Sequence, residues 1–293
     1  MSPKLFLAVL SACTATASAA LSVSGPTTGW VVVPYANPAL ADPSGDQQTG
    51  SPEGDIVGNA ANPSFYTAFD GGGTPSLTDG QIGFRLRLGA DSNPAGLKTV
   101  VWFGIDANLD GKIDLFAGAL EDSKIGFYPA GTGANISPST TSIQSSNPYY
   151  ETVTSASNFS FTAVNATINP GVTNTNLDGG TGGANATDHF VSIVLPFANL
   201  VTIVNNMNLA GVGTNFNENT PLRYIAATSQ QANSLNQDLN GIGATYNASS
   251  TWTQLGGFTN TMNATGVASV PEPSATLIGC LGASLILLRR RRA

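Results

Sequence analysis

The sequence predicts an all-β protein, a β-sandwich or jelly roll, from three observations. No long segment places apolar residues at helical spacing. Short β-branched and aromatic runs recur instead, separated by turns rich in Gly, Asn, Thr and Ser. In the clearest run, residues 81–88, Ile82, Phe84, Leu86 and Leu88 alternate with Gly83, Arg85 and Arg87. One face of that strand is apolar and the other carries two cations.

The remaining elements follow in chain order. Consecutive valines between Trp30 and Tyr35 suggest a strand over 30–35, and Phe65, Tyr66 and Phe69 one over 64–69. Further strands are expected at 99–105, 113–119, 159–168, 190–195, 222–228 and 251–255, about nine to twelve in all. One short helix fits near 197–206, where Leu200, Ile203 and Val204 share a face.

Both chain ends read as targeting segments. Lys4, the apolar stretch 5–10 and the small residues Ala17, Ser18 and Ala19 have the order of a secretory signal peptide, assigned to residues 1–19. A rival reading is the lipobox-like Leu10-Ser11-Ala12-Cys13, which would lipidate Cys13. At the other end, Val270-Pro271-Glu272-Pro273-Ser274 precedes 14 uncharged, mostly apolar residues, 275–288, and then Arg289, Arg290, Arg291 and Arg292. As a helix the apolar run reaches only about 21 Å against roughly 30 Å of hydrocarbon. It spans poorly as a permanent anchor. The arginines would stay cytoplasmic and hold the preceding chain outside, while the prolines keep the peptide before the membrane extended.

These tail residues resemble the PEP-CTERM sorting signal of Gram-negative bacteria that make exopolysaccharide. The resemblance covers residues 270–293 and rests on three ordered parts: the Pro-Glu-Pro motif, the apolar segment and the Arg cluster. It implies recognition by a membrane-embedded exosortase-type processing enzyme, transient inner-membrane anchoring, and removal of the tail on the way to the surface or matrix. An ordinary short C-terminal anchor is the alternative, since anchor tails share this layout.

Removal of both ends alters the remaining chain. The two cysteines, Cys13 and Cys280, lie in the leader and tail, so the body would be an exported domain without disulfides, held by its core and by metal. Removing Lys4, the four tail arginines and Glu272 takes the 11 basic and 18 acidic residues to 6 and 17, a net charge of −11. Such a body will not bind nucleic acid or an anionic membrane electrostatically, and it suits divalent cations. Residues 20–257 are long enough for one large core and show no clear internal linker; 258–269 reads as a linker to the tail.

The sharpest chemical signal is Asp106-Ala107-Asn108-Leu109-Asp110-Gly111-Lys112-Ile113-Asp114. Oxygen side chains at positions 1, 3, 5 and 9, with Gly at 6, have the spacing of an EF-hand-type calcium loop. Asp106, Asn108 and Asp110 would each offer an oxygen, Lys112 its backbone carbonyl, and Asp114 a direct or water-mediated ligand. Ile113 would point into the core. Position 12 is Ala117 instead of Glu, and strands flank the loop, which argues against a helix-loop-helix sensor. Glu121 or Asp122 are the candidates to replace the missing carboxylate. The alternative is a solvated Asp/Asn/Gly hairpin turn without an ion. Two weaker echoes keep positions 1, 3, 5 and 6: Asn174, Asn176, Asp178, Gly179 and Asn236, Asp238, Asn240, Gly241.

Other chemistry has little support in the sequence. His189 is the only histidine, which rules out a multi-histidine zinc site. Neighbouring Asp188 would face the opposite side of a strand, leaving His189 a partly exposed strand-start residue. The Gly-rich stretches lack the Lys and the strand-to-helix context of a phosphate loop. Glu53, Glu121, Glu151 and Glu218 lie in no recognisable catalytic motif, though a glycosidase needs only two carboxylates. Trp30, Trp102 and Trp252 could form a sugar-stacking platform, with Trp102 fitting a core position better.

The body also resembles, loosely, exported β domains of bacterial surfaces, through residues 80–88, the 106–114 hairpin, 226–229 and 233–238. The expectation is an exported surface or matrix protein with structural calcium, no catalytic machinery, and extracellular polysaccharide as a candidate ligand. A carbohydrate-active enzyme or lyase with unidentified carboxylates is the alternative.

Overall fold

A computed structural model describes residues 21–35, 41–48, 52–72, 80–91, 96–136, 142–178, 187–242 and 251–267. The leader expected at 1–19 and the tail expected at 270–293, with Val270, Pro271, Glu272, Pro273 and Arg289 to Arg292, lie outside them. No helix among the described residues is long and apolar enough to cross a membrane.

The chain forms two antiparallel sheets that share one core. The first contains β1 (Val31–Val32), β2 (Phe65–Asp70), β3 (Gln81–Ala90), β9 (Asp188–Pro196) and β8 (Phe159–Ala163), in that spatial order. The second runs β11 (Asp238–Leu239), β10 (Arg223–Ser229), β4 (Val100–Asp106), β5 (Leu115–Leu120), β6 (Lys124–Pro129) and β7 (Tyr150–Val153). Sequential hairpins build β4 to β7. The chain crosses between sheets from β3 to β4, from β7 to β8, and again through helix α1 (Phe197–Met207) from β9 to β10.

Alternation explains the shared core. On β4, Val101, Phe103 and Ile105 face the first sheet, while Val100 and Trp102 face away. Phe103 stacks between Phe65 and Phe84 at centroid distances of 5.3 and 5.0 Å, and Tyr224 meets both phenylalanines edge-on. These offset and edge contacts are the geometries that aromatic quadrupoles favour. Helix α1 buries Phe197, Leu200, Ile203 and Val204 against the same core, as their helical spacing predicts.

Both outer faces are also covered. Trp102, Phe116, Tyr128, Ile225 and Ala227 on the second sheet pack under the buried loop residues Leu235, Ile143 and Ala134 and under Trp252. On the first sheet, Arg85 and Arg87 form the cationic face of β3, and both are fully buried. Arg85 lies 4.2 Å from the ring of Trp30 and donates to Ser192 Oγ and to the carbonyls of Val23 and Gly25. Arg87 pairs with Asp188 and donates to the Asn174 carbonyl.

Several elements differ from expectation. Residues 251–255, expected as a strand, form helix α2 (Trp252–Leu255), because Thr251 and Gln254 make a reciprocal capping box and Gly256 ends the turn at a φ of 71°. β6 and β7 were not anticipated: Gly126 and Pro129 interrupt the apolar signal of one, and the other has only four residues. Residues 258–267, expected within a linker, pack against the sandwich. There Thr259 bridges to Tyr35, Met262 pairs with Leu222, and Asn260 N–H donates to the Pro34 carbonyl.

Candidate metal centre

The 106–114 segment joins β4 to β5, so two buried strands fix both its ends. Inside it, Leu109 and Gly111 take left-handed backbone conformations, with φ of 62° and 85°. These allow the reversal. Each predicted oxygen side chain then turns toward the loop backbone. Gly111 N–H donates to Asp106 Oδ2 at 3.0 Å, Asp110 N–H to Asn108 Oδ1 at 3.2 Å, Lys112 N–H to Asp110 Oδ1 at 2.9 Å, and Ala107 N–H to Asp114 Oδ2 at 2.8 Å. Positions 1, 3, 5 and 9 therefore each cap a different backbone N–H of the loop, and Asp106, Asp110 and Asp114 do not gather as a trio within 4.8 Å.

Charge is distributed unevenly over this loop. Asp106 is fully buried; its Oδ2 also accepts from Arg223 at 2.5 Å, while its Oδ1 has no hydrogen-bond partner. Arg223 and the loop's own Lys112 offset two of the three carboxylates, leaving one negative charge in excess beside an orphaned oxygen. Burial, reinforced by Asp106 and Asp110, pushes the Asp114 carboxyl up to about 6, against a backbone hydrogen bond from Ala107. The Lys112 side chain is exposed, and Ile113 is buried as expected, with its backbone clamped on both sides by the Asn135 amide.

The replacement for position 12 is not supplied by Glu121 or Asp122. Both lie in the β5–β6 turn, at the opposite end of β5 from the loop, roughly 20 Å away at strand rise. Ala117 itself sits mid-strand between Phe103 and Phe127.

A second set of carboxylates gathers where little in the sequence signals one. Oxygens of Asp42, Asp46 and Asp238 lie within 4.8 Å of one another, the one such acidic trio among the described residues. Asp42 precedes the 3-10 turn Pro52–Gly54, while Asp238 begins β11, almost 200 residues later. Gly241 N–H donates to Asp42 Oδ1, and Ile56 and Leu239 N–H donate to Asp238 Oδ2 and Oδ1. Asp55 stands beside them and accepts from Gly45 N–H at 2.8 Å. Burial and mutual repulsion push Asp42 and Asp238 well above the usual carboxylate range, and burial raises Asp46 to about 6 and Asp55 to about 7.

Asp238 belongs to one of the two weak calcium-loop echoes; Gly241 of that echo donates to Asp42, but its two Asn side chains serve elsewhere. Asn236 accepts from Ser229 Oγ and Asn240 from Ser64 Oγ. In the other echo, Asn174 caps Asn176 N–H, and Gly179 lies outside the described residues. The 236–241 echo does not close into a loop like 106–114.

The remaining candidates take structural positions. Trp102 and Trp252 are buried, the latter donating to the Ala134 carbonyl, and Trp30 covers Arg85. The three tryptophans therefore form no common platform. His189 is half-buried and stacks on Phe161 at 4.7 Å; burial lowers its pKa. Glu151 is held by Lys124 at 2.5 Å and by the Tyr128 hydroxyl at 3.2 Å. Glu53 lies in the 3-10 turn, Glu121 in the β5–β6 turn and Glu218 in the turn before β10.

No protein-family model matches this chain, and neither curated proteins nor solved structures give a significant match.

Proposed function

We propose that the protein is exported and sorted to the cell surface or extracellular matrix, where a calcium-stabilised β-sandwich has a structural or adhesive role. The three-part tail carries this reading: Pro271-Glu272-Pro273, a short apolar run and four arginines, in the order of an exosortase-processed signal. Calcium at Asp106, Asn108, Asp110, Lys112 and Asp114 is supported by the spacing of these oxygens along the loop, their ordering by backbone N–H groups and the orphaned Asp106 Oδ1. A matrix role is supported by a body whose sheets are sealed on both outer faces and whose net charge is −11. Extracellular polysaccharide is the proposed partner.

The test is to express the full chain, and a variant with Pro271→Ala and Glu272→Ala, in a bacterium that makes exopolysaccharide. The mature C-terminus is identified by mass spectrometry, and protein in the matrix is quantified. Cleavage at or just beyond residues 270–274 in the parent, lost in the variant, is expected. An uncleaved parent retained in the cytoplasm would overturn the reading.

A further inference from the structure

The geometry points to a second calcium site at Asp42, Asp46 and Asp238, which clasps the 41–48 segment onto β11. Proximity of acids alone would not carry this; the oxygens around them do. Five buried acceptor oxygens here have no hydrogen-bond partner: Asp42 Oδ2, both carboxylate oxygens of Asp46, Gln47 Oε1 and Asp55 Oδ1. Asp42 and Asp55 are only 5% and 1% exposed. Buried polar atoms are ordinarily satisfied, and each orphan requires its own explanation. Five acceptors without a donor, all between residues 42 and 55, are oxygens that a cation would satisfy.

No basic side chain among the described residues neutralises these acids. None of the four ion pairs among the described residues includes Asp42, Asp46, Asp55 or Asp238. Backbone N–H groups from Gly241, Ile56, Leu239 and Gly45 hold some of the carboxylate oxygens in place and leave the others available. This preorganisation suits a metal, because ligands arrive fixed by a surrounding hydrogen-bonded shell. The donors are all oxygen and the charge is three to four negative, so the ion is hard and divalent. Calcium fits better than magnesium, which keeps several waters and takes few carboxylates.

The site differs in connectivity from the 106–114 loop. That loop would bind an ion within nine consecutive residues; this one joins an N-terminal segment to the edge of the second sheet. Its contacts already run that way, since Gln48 N–H donates to the Gln237 carbonyl. A cation here would complete the attachment.

The experiment is a calcium titration by calorimetry on the full chain, purified in mild detergent and stripped of metal, with Asp110→Ala, Asp46→Asn and both together. Asp46 is partly exposed and accepts no hydrogen bond from another residue, so Asp46→Asn should fold. Asp110→Ala should still bind calcium, and adding Asp46→Asn should weaken that binding at least tenfold. In EDTA, Asp46→Asn should melt above the parent, because one repelling charge is gone. Asp238→Asn provides a second variant with the same expectation for binding. Absence of calcium binding in Asp110→Ala, or unchanged binding on adding Asp46→Asn, overturns the second site while leaving the loop to be judged by Asp110→Ala alone. Equal affinity for magnesium overturns the assignment to calcium.

Discussion

Arg87 Nη2 lies 2.6 Å from Asp188 Oδ2, and neither side chain has any exposure to solvent. The pair spans neighbouring strands β3 and β9 and is reinforced by Leu177 N–H donating to both Asp188 oxygens. Removing one partner leaves the other charged and buried, which typically costs about 3–5 kcal/mol. Asp188→Asn should therefore lower the melting temperature by on the order of 10 °C for a body of this length. Replacing both, as Arg87→Met with Asp188→Leu, should recover most of the loss. Equal melting of the single variant and the parent would show that the pair contributes no net stability.

The loop makes a separate demand. Calcium at 100 times its dissociation constant should stabilise the parent by about 2.7 kcal/mol over EDTA, a rise of several degrees. Asp110→Ala should lose the part of that rise due to the loop. Thermal unfolding in calcium, magnesium and EDTA reads this directly, and an unchanged calcium response in the variant would reduce 106–114 to a polar turn.

Gly118 faces Trp102 across β4 and β5, and a Cβ there would come within 2.2 Å of the indole Cε3. The indole is enclosed by Phe116 and Tyr128, with centroid distances of 6.0 and 5.0 Å, so it cannot swing aside freely. Gly118→Ala should cost about 1–3 kcal/mol through overpacking. Urea denaturation would measure the cost, and a shift in tryptophan emission would locate it.

Metal-free protein should respond to pH in the reverse of the usual carboxylate pattern. Burial raises Asp46 and Asp114 to about 6 and Asp55 to about 7, against an ordinary value of 3.8. Between those limits the folded state holds more protons than the unfolded state. Stability in EDTA should then fall as pH rises from about 4 through about 7. Saturating calcium displaces those protons, so the gap between calcium and EDTA melting curves should widen over the same range. A gap independent of pH would contradict this.

Sequence patterns revealed features whose parts lie close together in the chain. β3 is legible because alternation over eight residues leaves one orientation for its apolar face, and the 106–114 loop because all its oxygens lie within nine residues. The capping box at Thr251 and Gln254 was an available signal for α2, masked by β-favouring Thr and Trp. The Asp42, Asp46 and Asp238 cluster had no local signature, since only the sheet topology brings its members together. Arg85 and Arg87 show a different limit: alternation placed them on one face, but whether loops cover that face depends on segments 60 to 87 residues distant.

The 258–267 segment also has a mechanical consequence. Its hydrogen bonds run to Pro34 on one side and to Leu222 and Tyr224 on the other, so it stitches an edge of each sheet together. Tension applied beyond residue 267 would be borne by these bonds and passed to both layers at once. This stitch would have to peel before either sheet could open from that end, so mechanical resistance would reside in a segment that looks, in sequence, like slack.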